Sequence, residues 1–342
     1  MSSGPAAAGA PTPALIFDTL LAHQRSAALA SAIELGVFRA LGEGHHDCSS
    51  IARATASSER GIRILCDFLT IIGLIEKRGS EWHHSPASKM FLDPRSPACV
   101  ASISRFMGNP ALHEPYRHLS EVVRTGRTSL AGAGTVEPEN PVWVEFAHSM
   151  APMMAPMTAP LGKIVLEGLE DSPVRVLDIA AGHGLFGIEV ARQNPRARIT
   201  AVDWALVLEV AMANAAKAGV ADRYHTLPGS AFDVDFDGPY DIVLLTNFLH
   251  HFDVPTCTSL LRKVHAALRP GGRVAALEFV PNEDRVSPPV PAAFALSMLV
   301  STAAGDAYTF SDLASMYKAA GFEAVTAHAV QTGPHTVVVG RR

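Results

Sequence analysis

The segment Val176-Leu177-Asp178-Ile179-Ala180-Ala181-Gly182-His183-Gly184 passes from a β-branched run through a turn of small residues into a helical stretch. Glycine lets the backbone approach a ligand closely, and the free N–H groups that open a helix attract polar and anionic groups. Asp203 follows 21 residues after Gly182, at the end of the next apolar run. A carboxylate there accepts hydrogen bonds from both hydroxyls of a ribose, at about 1.5–3 kcal/mol for each charge-assisted bond. Capture of a ribose-bearing cofactor is the chemistry implied. Gly182-His183-Gly184-Leu185-Phe186-Gly187 also matches G-x-G-x-x-G, the pattern of dinucleotide sites, which discriminates poorly by itself.

Such a turn needs a sheet behind it. Apolar runs at 174–179, 198–202, 241–245 and 273–279 alternate with helical stretches at 185–193, 205–218 and 255–268. That alternation is the mark of a parallel sheet with helices on both faces. Runs at 322–330 and 336–340 are separated by Gly333-Pro334, too short a connection for anything but antiparallel strands. The expected fold is α/β, a mostly parallel sheet closed by an antiparallel hairpin.

The first third reads as helices. Ser49 to Lys77 has the pattern helix, turn, helix, with Ser58 as a cap and Ile62, Leu65, Leu69 and Ile72 on one face. A short hairpin turning at Gly79-Ser80 completes a winged helix. From Asp47 to Arg95 seven Lys/Arg face six Asp/Glu, which is no footprint for nucleic acid and favours a dimerisation scaffold over DNA binding. Trp143, Phe146, Met150, Met153, Met154 and Met157 form an apolar stretch suited to a pocket wall, and Pro152, Pro156 and Pro160 argue against a straight helix there. The organisation expected is a tail over 1–14, a helical domain over 15–165 that includes pocket helices, and a cofactor-binding domain over 166–342.

Composition narrows the classes further. The 342 residues are 48% hydrophobic and 18% charged, enough apolar material for two cores. A net charge of -5 leaves no positive surplus for nucleic acid or an anionic membrane. Residues 1–14 hold no Lys or Arg and three prolines, unlike a signal peptide, and no run approaches the ~18 apolar residues of a membrane span. Cys48, Cys66, Cys99 and Cys257 form no C-x-x-C pair, so reduced cytoplasmic thiols are expected. Asp233, Asp235 and Asp237 suggest a calcium loop, but its twelfth position is Leu244, and that reading is rejected.

Asp178 to Gly184 resembles the D-x-G/A-x-G-x-G motif of class I S-adenosylmethionine-dependent methyltransferases. From Leu15 onward the chain is similar to the plant phenolic and bacterial small-molecule O-methyltransferases. The likeness extends to Asn247-Phe248-Leu249-His250-His251-Phe252, Leu268-Arg269-Pro270-Gly271-Gly272-Arg273 and Ala319-Ala320-Gly321-Phe322. The resemblance implies a seven-stranded Rossmann-like sheet, an N-terminal winged-helix dimerisation domain, a homodimer, S-adenosylmethionine as cofactor and a small-molecule acceptor. It assigns the cofactor to Asp178, Ala180, Gly182, Gly184, Asp203, Trp204 against the adenine, Ser230, Ala231, Phe232 and Asn247. His183 contributes its backbone. Ser230 stands where the family has an acidic residue, with Asp233 a substitute.

Methyl transfer from a sulfonium needs an electron-rich acceptor atom, and a histidine acting as general base supplies ~100–10,000-fold. His250 aligns with the family's base, just past the fourth strand. Glu278, 28 residues later, is its expected partner, and His251 has a supporting part where the family often carries Asp. The family's second carboxylate falls on Ala307, so Asp306 is the candidate replacement. A dry wall of Trp143, Phe146, Met150, Met154, Phe294 and Met298 favours the partial cancellation of charge in the transition state. No metal is expected, because Thr246-Asn247 stand where metal-dependent relatives place acidic ligands. Alternatives are N- or C-methylation on the same scaffold, a non-methylating enzyme that uses the bound sulfonium, and a winged-helix regulator.

Overall fold

The computed structural model describes residues 11–342. The expected tail over 1–14 lies outside the described residues up to position 10, and the first helix begins at Ala14. The chain divides into two compact units, up to Ser104 and from Arg105. The helices beyond 104 that the sequence grouped with the helical domain thus belong to the unit that contains the large sheet.

The first unit holds α1 (Ala14–Leu20), α2 (Ala22–Leu35), α3 (Val37–Gly42), α4 (Cys48–Ala54), α5 (Glu59–Ile71), β1 (Ile75–Arg78), β2 (Glu81–His84) and α6 (Pro86–Phe91). Asp47 and Ser58 accept N–H bonds from Ser50 and Gly61, capping α4 and α5 at 3.0 and 3.1 Å. Strands β1 and β2 pair antiparallel around Gly79, whose φ of +62° the tight turn requires. Ile51, Ile62, Cys66, Leu69, Ile75 and Trp82 meet in its core. The expected helix-turn-helix with a hairpin is present.

The second unit opens with short helices. They are α7 (Ile103–Met107), which begins at the boundary, α8 (Pro110–Arg117), α9 (Leu119–Thr125), α10 (Val142–Ser149) and α11 (Ala151–Leu166). Helix α11 runs continuously past Pro156 and Pro160, against the interruption the prolines predict. The reason is visible in the carbonyls. Pro160 cannot donate to the Pro156 carbonyl, and Thr332 Oγ1 donates to it instead at 2.7 Å.

The sheet follows. Its elements are β3 (Val174–Ile179), α12 (Leu185–Gln193), β4 (Ala197–Asp203), α13 (Ala205–Lys217), β5 (Tyr224–Pro228), β6 (Tyr240–Thr246), α14 (Val254–Ala267), β7 (Leu268–Glu278), α15 (Pro289–Ser301), α16 (Phe310–Ala319), β8 (Glu323–Ala329) and β9 (Thr336–Arg341). The strand order is β5-β4-β3-β6-β7-β9-β8, with the first five parallel and β9 antiparallel to both of its neighbours, β7 and β8. Every residue of β6 is buried, as a strand covered on both faces must be. Register puts the strand ends level: Ile179 lies beside Val202 and Leu245, and Thr246 beside Leu277. The residues that follow these ends therefore share one rim of the sheet.

Candidate active site

That rim bounds a cavity of about 1860 Å³ within the second unit. Ala180 and Gly182, with φ of +55° and +56°, bend the chain after β3 so that the turn faces it. The Gly182 N–H donates to Asp203 Oδ2 at 2.9 Å, and the Trp204 N–H donates to Asp203 Oδ1 at 2.7 Å. Each oxygen keeps a lone pair for a further donor. Asp203 lines the cavity with no cationic partner among the described residues, and burial pushes its carboxyl up to about 6. Trp204, Ser230, Ala231, Phe232 and Asn247 line the same cavity. Ser230 Oγ accepts the Phe232 N–H at 3.1 Å, and Asp233 stands beside it on the wall. Lys263 on α14 pins this segment by donating to the carbonyls of Ala231, Phe232 and Val234.

Asp178 and Gly184, two of the expected cofactor residues, lie beneath the cavity lining. Asp178 is fully buried, and its Oδ2 accepts the Gly187 N–H at 3.1 Å while Oδ1 has no partner. Burial pushes this carboxyl up to about 7. Relative to an unfolded Asp near 3.9, folding therefore takes up a proton between about pH 4 and 7. The group's contribution to stability falls as pH rises through that window. Asp178→Asn should flatten the decline of Tm between pH 5 and 8, measured by calorimetry against the parent.

Gly184 has φ +76°, and a Cβ on it would meet Tyr224 Oη at 2.7 Å and the Ala211 side chain at 2.9 Å. This glycine allows α13 to close under the turn. Gly184→Ala should cost about 1–3 kcal/mol, from the left-handed backbone and the crowded Cβ, and appears as a lower urea midpoint with an unchanged slope.

Across the rim, the His250 turn and the end of β7 meet. His250 is 4% exposed and Glu278 3%. Glu278 Oε2 lies 2.5 Å from His250 Nδ1, and Oε1 accepts the N–H groups of Phe248 and Leu249 at 3.0 and 2.8 Å. One carboxylate thus fixes both the ring and the backbone that carries it. It also places the proton on Nδ1 and leaves the Nε2 lone pair as the ring's basic site. His251 lines the cavity edge-on to Trp143, with burial and the neighbouring His250 holding it well below the ordinary histidine range. It is a neutral wall residue.

The apolar wall assembles from helices far apart in sequence. Trp143, Phe146, Met150 and Met154 come from α10, α11 and the joint between them, and Phe294 and Met298 from α15. Phe294 stands edge-on to His250 with centroids 4.9 Å apart. Thr128 Oγ1 donates to the Val300 carbonyl and the Thr135 N–H to the Ser301 carbonyl, clipping the loop before α10 onto the end of α15.

Asp306 corrects an expectation. Its carboxylate is absent from the cavity wall, with Oδ2 3.4 Å from Arg285 and Oδ1 accepting the Ala307 N–H. An available guanidinium on the surface holds it there. Asp306 meets His250 through its backbone, donating its N–H to the His250 carbonyl at 3.0 Å. Beside it, a Cβ at Gly305 would lie 2.3 Å from that same carbonyl.

His183 and His335 also line the cavity, although the sequence points to a side-chain role for neither. His183 was given a backbone part, yet its ring lines the cavity and stacks on Phe146 with centroids 6.1 Å apart. Its Nδ1 accepts the Leu185 N–H, and burial pushes it down to about 4. His335 follows Gly333-Pro334 in the β8–β9 hairpin and also lines the cavity. The glycine motif around His183 speaks only for its backbone, and no local pattern marks His335.

Comparison with known proteins identifies the family. Residues 116–323 match the O-methyltransferase domain, and residues 17–94 match the O-methyltransferase dimerisation domain. The chain is 28% identical to acetylserotonin O-methyltransferase of Mus musculus, covering 94% of this chain and 87% of that protein. It is 26% identical to the tetracenomycin polyketide synthesis 8-O-methyl transferase of Streptomyces glaucescens, covering 96% and 97%. A solved structure from Nostoc punctiforme, of inferred O-methyltransferase activity, shares 47% identity and a TM-score of 0.92 over 97% of this chain and 100% of that one. Human N-acetylserotonin methyltransferase, solved in complex with SAM, shares the fold at a TM-score of 0.81 and 23% identity, over 98% and 99%. With its sheet, its dimerisation domain and well over half its length matched, the chain belongs to the O-methyltransferase family.

Proposed function

We propose that the protein transfers the methyl group of S-adenosylmethionine to a hydroxyl oxygen of a small, largely apolar, aromatic acceptor, with His250 as general base. The observation that carries this reading is the 2.5 Å contact between His250 Nδ1 and Glu278, which leaves Nε2 as the ring's basic nitrogen on a residue of the cavity wall. Asp203 fits the cofactor's ribose, because both of its oxygens keep a free lone pair and no cation among the described residues competes for them. When bound, S-adenosylmethionine supplies a methyl group on a positively charged sulfur.

His250 removes the acceptor's hydroxyl proton as that oxygen becomes the nucleophile. Glu278 steadies the resulting imidazolium and keeps the ring from turning, since the same carboxylate holds two backbone N–H groups. Trp143, Phe146, Met150, Met154, Phe294 and Met298 exclude water and offer faces to a flat ring. The named relatives act on acetylserotonin and in tetracenomycin polyketide synthesis, which supports an aromatic acceptor. The first unit carries homodimerisation in this reading.

The test is transfer from S-adenosyl-L-[methyl-14C]methionine to a panel of phenols, including N-acetylserotonin and hydroxynaphthoates. Labelled methyl ether and S-adenosylhomocysteine should form together. Product methylated at nitrogen or carbon, or turnover without label in the product, would overturn the oxygen assignment.

A further inference from the structure

We propose that His335 is a positioning residue for this proton transfer: through Asn247 and Phe279 it fixes both the turn that carries His250 and the strand end that carries Glu278. The inference rests on the reading of His250 as base. His250 and Glu278 come from two strands, so their contact depends on whatever locks the turn after β6 to the end of β7.

Asn247 opens that turn with φ +53°, a left-handed conformation that a non-glycine residue keeps when its surroundings hold it. Its N–H donates to the Leu277 carbonyl at 2.8 Å, which secures one side. Its side chain secures the other. Asn247 Nδ2 lies 3.7 Å from Met154 Sδ, and Oδ1 lies 3.0 Å from His335 Nε2. A thioether has no proton to give, so the amide nitrogen belongs on the sulfur and the amide oxygen faces the imidazole. His335 therefore donates from Nε2. Burial pushes it down to about 4, and at neutral pH it brings no second positive charge near Glu278.

The ring has a second contact. His335 is 2% exposed and packs on Phe279, the residue after Glu278, with centroids 4.1 Å apart. Phe279 stacks in turn on Phe294, which stands edge-on to His250. His335 is itself anchored. The Val330 N–H donates to its carbonyl at 3.0 Å, and Thr332 ties the hairpin to the freed Pro156 carbonyl of α11. A rigid hairpin thus sets both members of the base pair from behind.

The test compares His335→Phe, which keeps a ring but loses the hydrogen bond, with His335→Gln, which keeps a donor. In 15N-histidine-labelled protein without acceptor, the Nδ1 proton of His250 reports its contact with Glu278. His335→Phe should shift or broaden that resonance, and His335→Gln should restore it. With a phenol that the parent methylates, kcat should fall about 10–100-fold in His335→Phe, while KM and the affinity for S-adenosylhomocysteine hold. Asn247→Ala combined with His335→Phe should lose no more than the worse single variant. If His335→Phe does not fold, the His335→Gln and Asn247→Ala resonances and kinetics carry the test. An unmoved resonance, or a rise in KM alone that marks ligand contact, overturns the proposal. Full activity in His250→Ala would instead overturn the base assignment, and the resonance would still report on His335.

Discussion

Replacing His250 by alanine should lower kcat by about 100–10,000-fold and leave the affinity for S-adenosylhomocysteine essentially unchanged. In the proposed function the ring acts as the base, while Asp203 and the turn after β3 hold the cofactor. Calorimetric titration with S-adenosylhomocysteine separates the two effects. Glu278→Gln should give a smaller loss, since an amide still accepts from Nδ1 but stabilises the imidazolium less. A variant at position 250 with parental turnover would remove general base catalysis from the account.

The second large effect concerns Asp203. Asp203→Ala should weaken cofactor binding by about 100-fold or more, the equivalent of two charge-assisted hydrogen bonds. The variant also loses the acceptor for the Gly182 N–H, so the turn loosens. The pH dependence has a definite sign. Burial holds the Asp203 carboxyl up at about 6, and the ionised form is the one that accepts two donors. Affinity should therefore be full above that value and fall as pH drops through it, by ~10-fold per unit at the steepest. That slope should vanish in the variant. Titrations of parent and variant at pH 5 and pH 8 decide the point: equal pH dependence in both would assign the proton to another group.

Much of this arrangement is legible in the sequence because it is local. The strands that carry Asp178, Asp203 and Glu278 are β-branched or apolar runs with an acidic residue at or next to their C-terminal end, and strand alternation places those ends together. Phe294 could be assigned to the wall because it lies in an apolar stretch just after the proline-rich loop. What escaped detection is set by tertiary contacts. Pro156 and Pro160 signal a break, yet Thr332, 176 residues from Pro156, satisfies the exposed carbonyl and the helix continues. Asp306 stands one residue before the place in the chain for a second carboxylate, and its own carboxylate faces Arg285 instead. His335 reaches the cavity only because β9 inserts between β7 and β8, a strand order that no short-range pattern encodes. His183 carries a side-chain contact that glycine spacing alone does not describe.

The loop after α15 meets the His250 turn through main chain: the Asp306 N–H donates to the His250 carbonyl, with Gly305 pressed against it. Apart from Phe294, which stands edge-on to His250, cavity-lining side chains on the helix can be exchanged without disturbing that seam. Val290, Ala293 and Ser297 are thus the natural positions for directed libraries, since new acceptor preferences introduced there leave the proton-handling apparatus in register. Residue 305 is the one place on this stretch where diversification would jam the machinery, and it marks where such a library should stop.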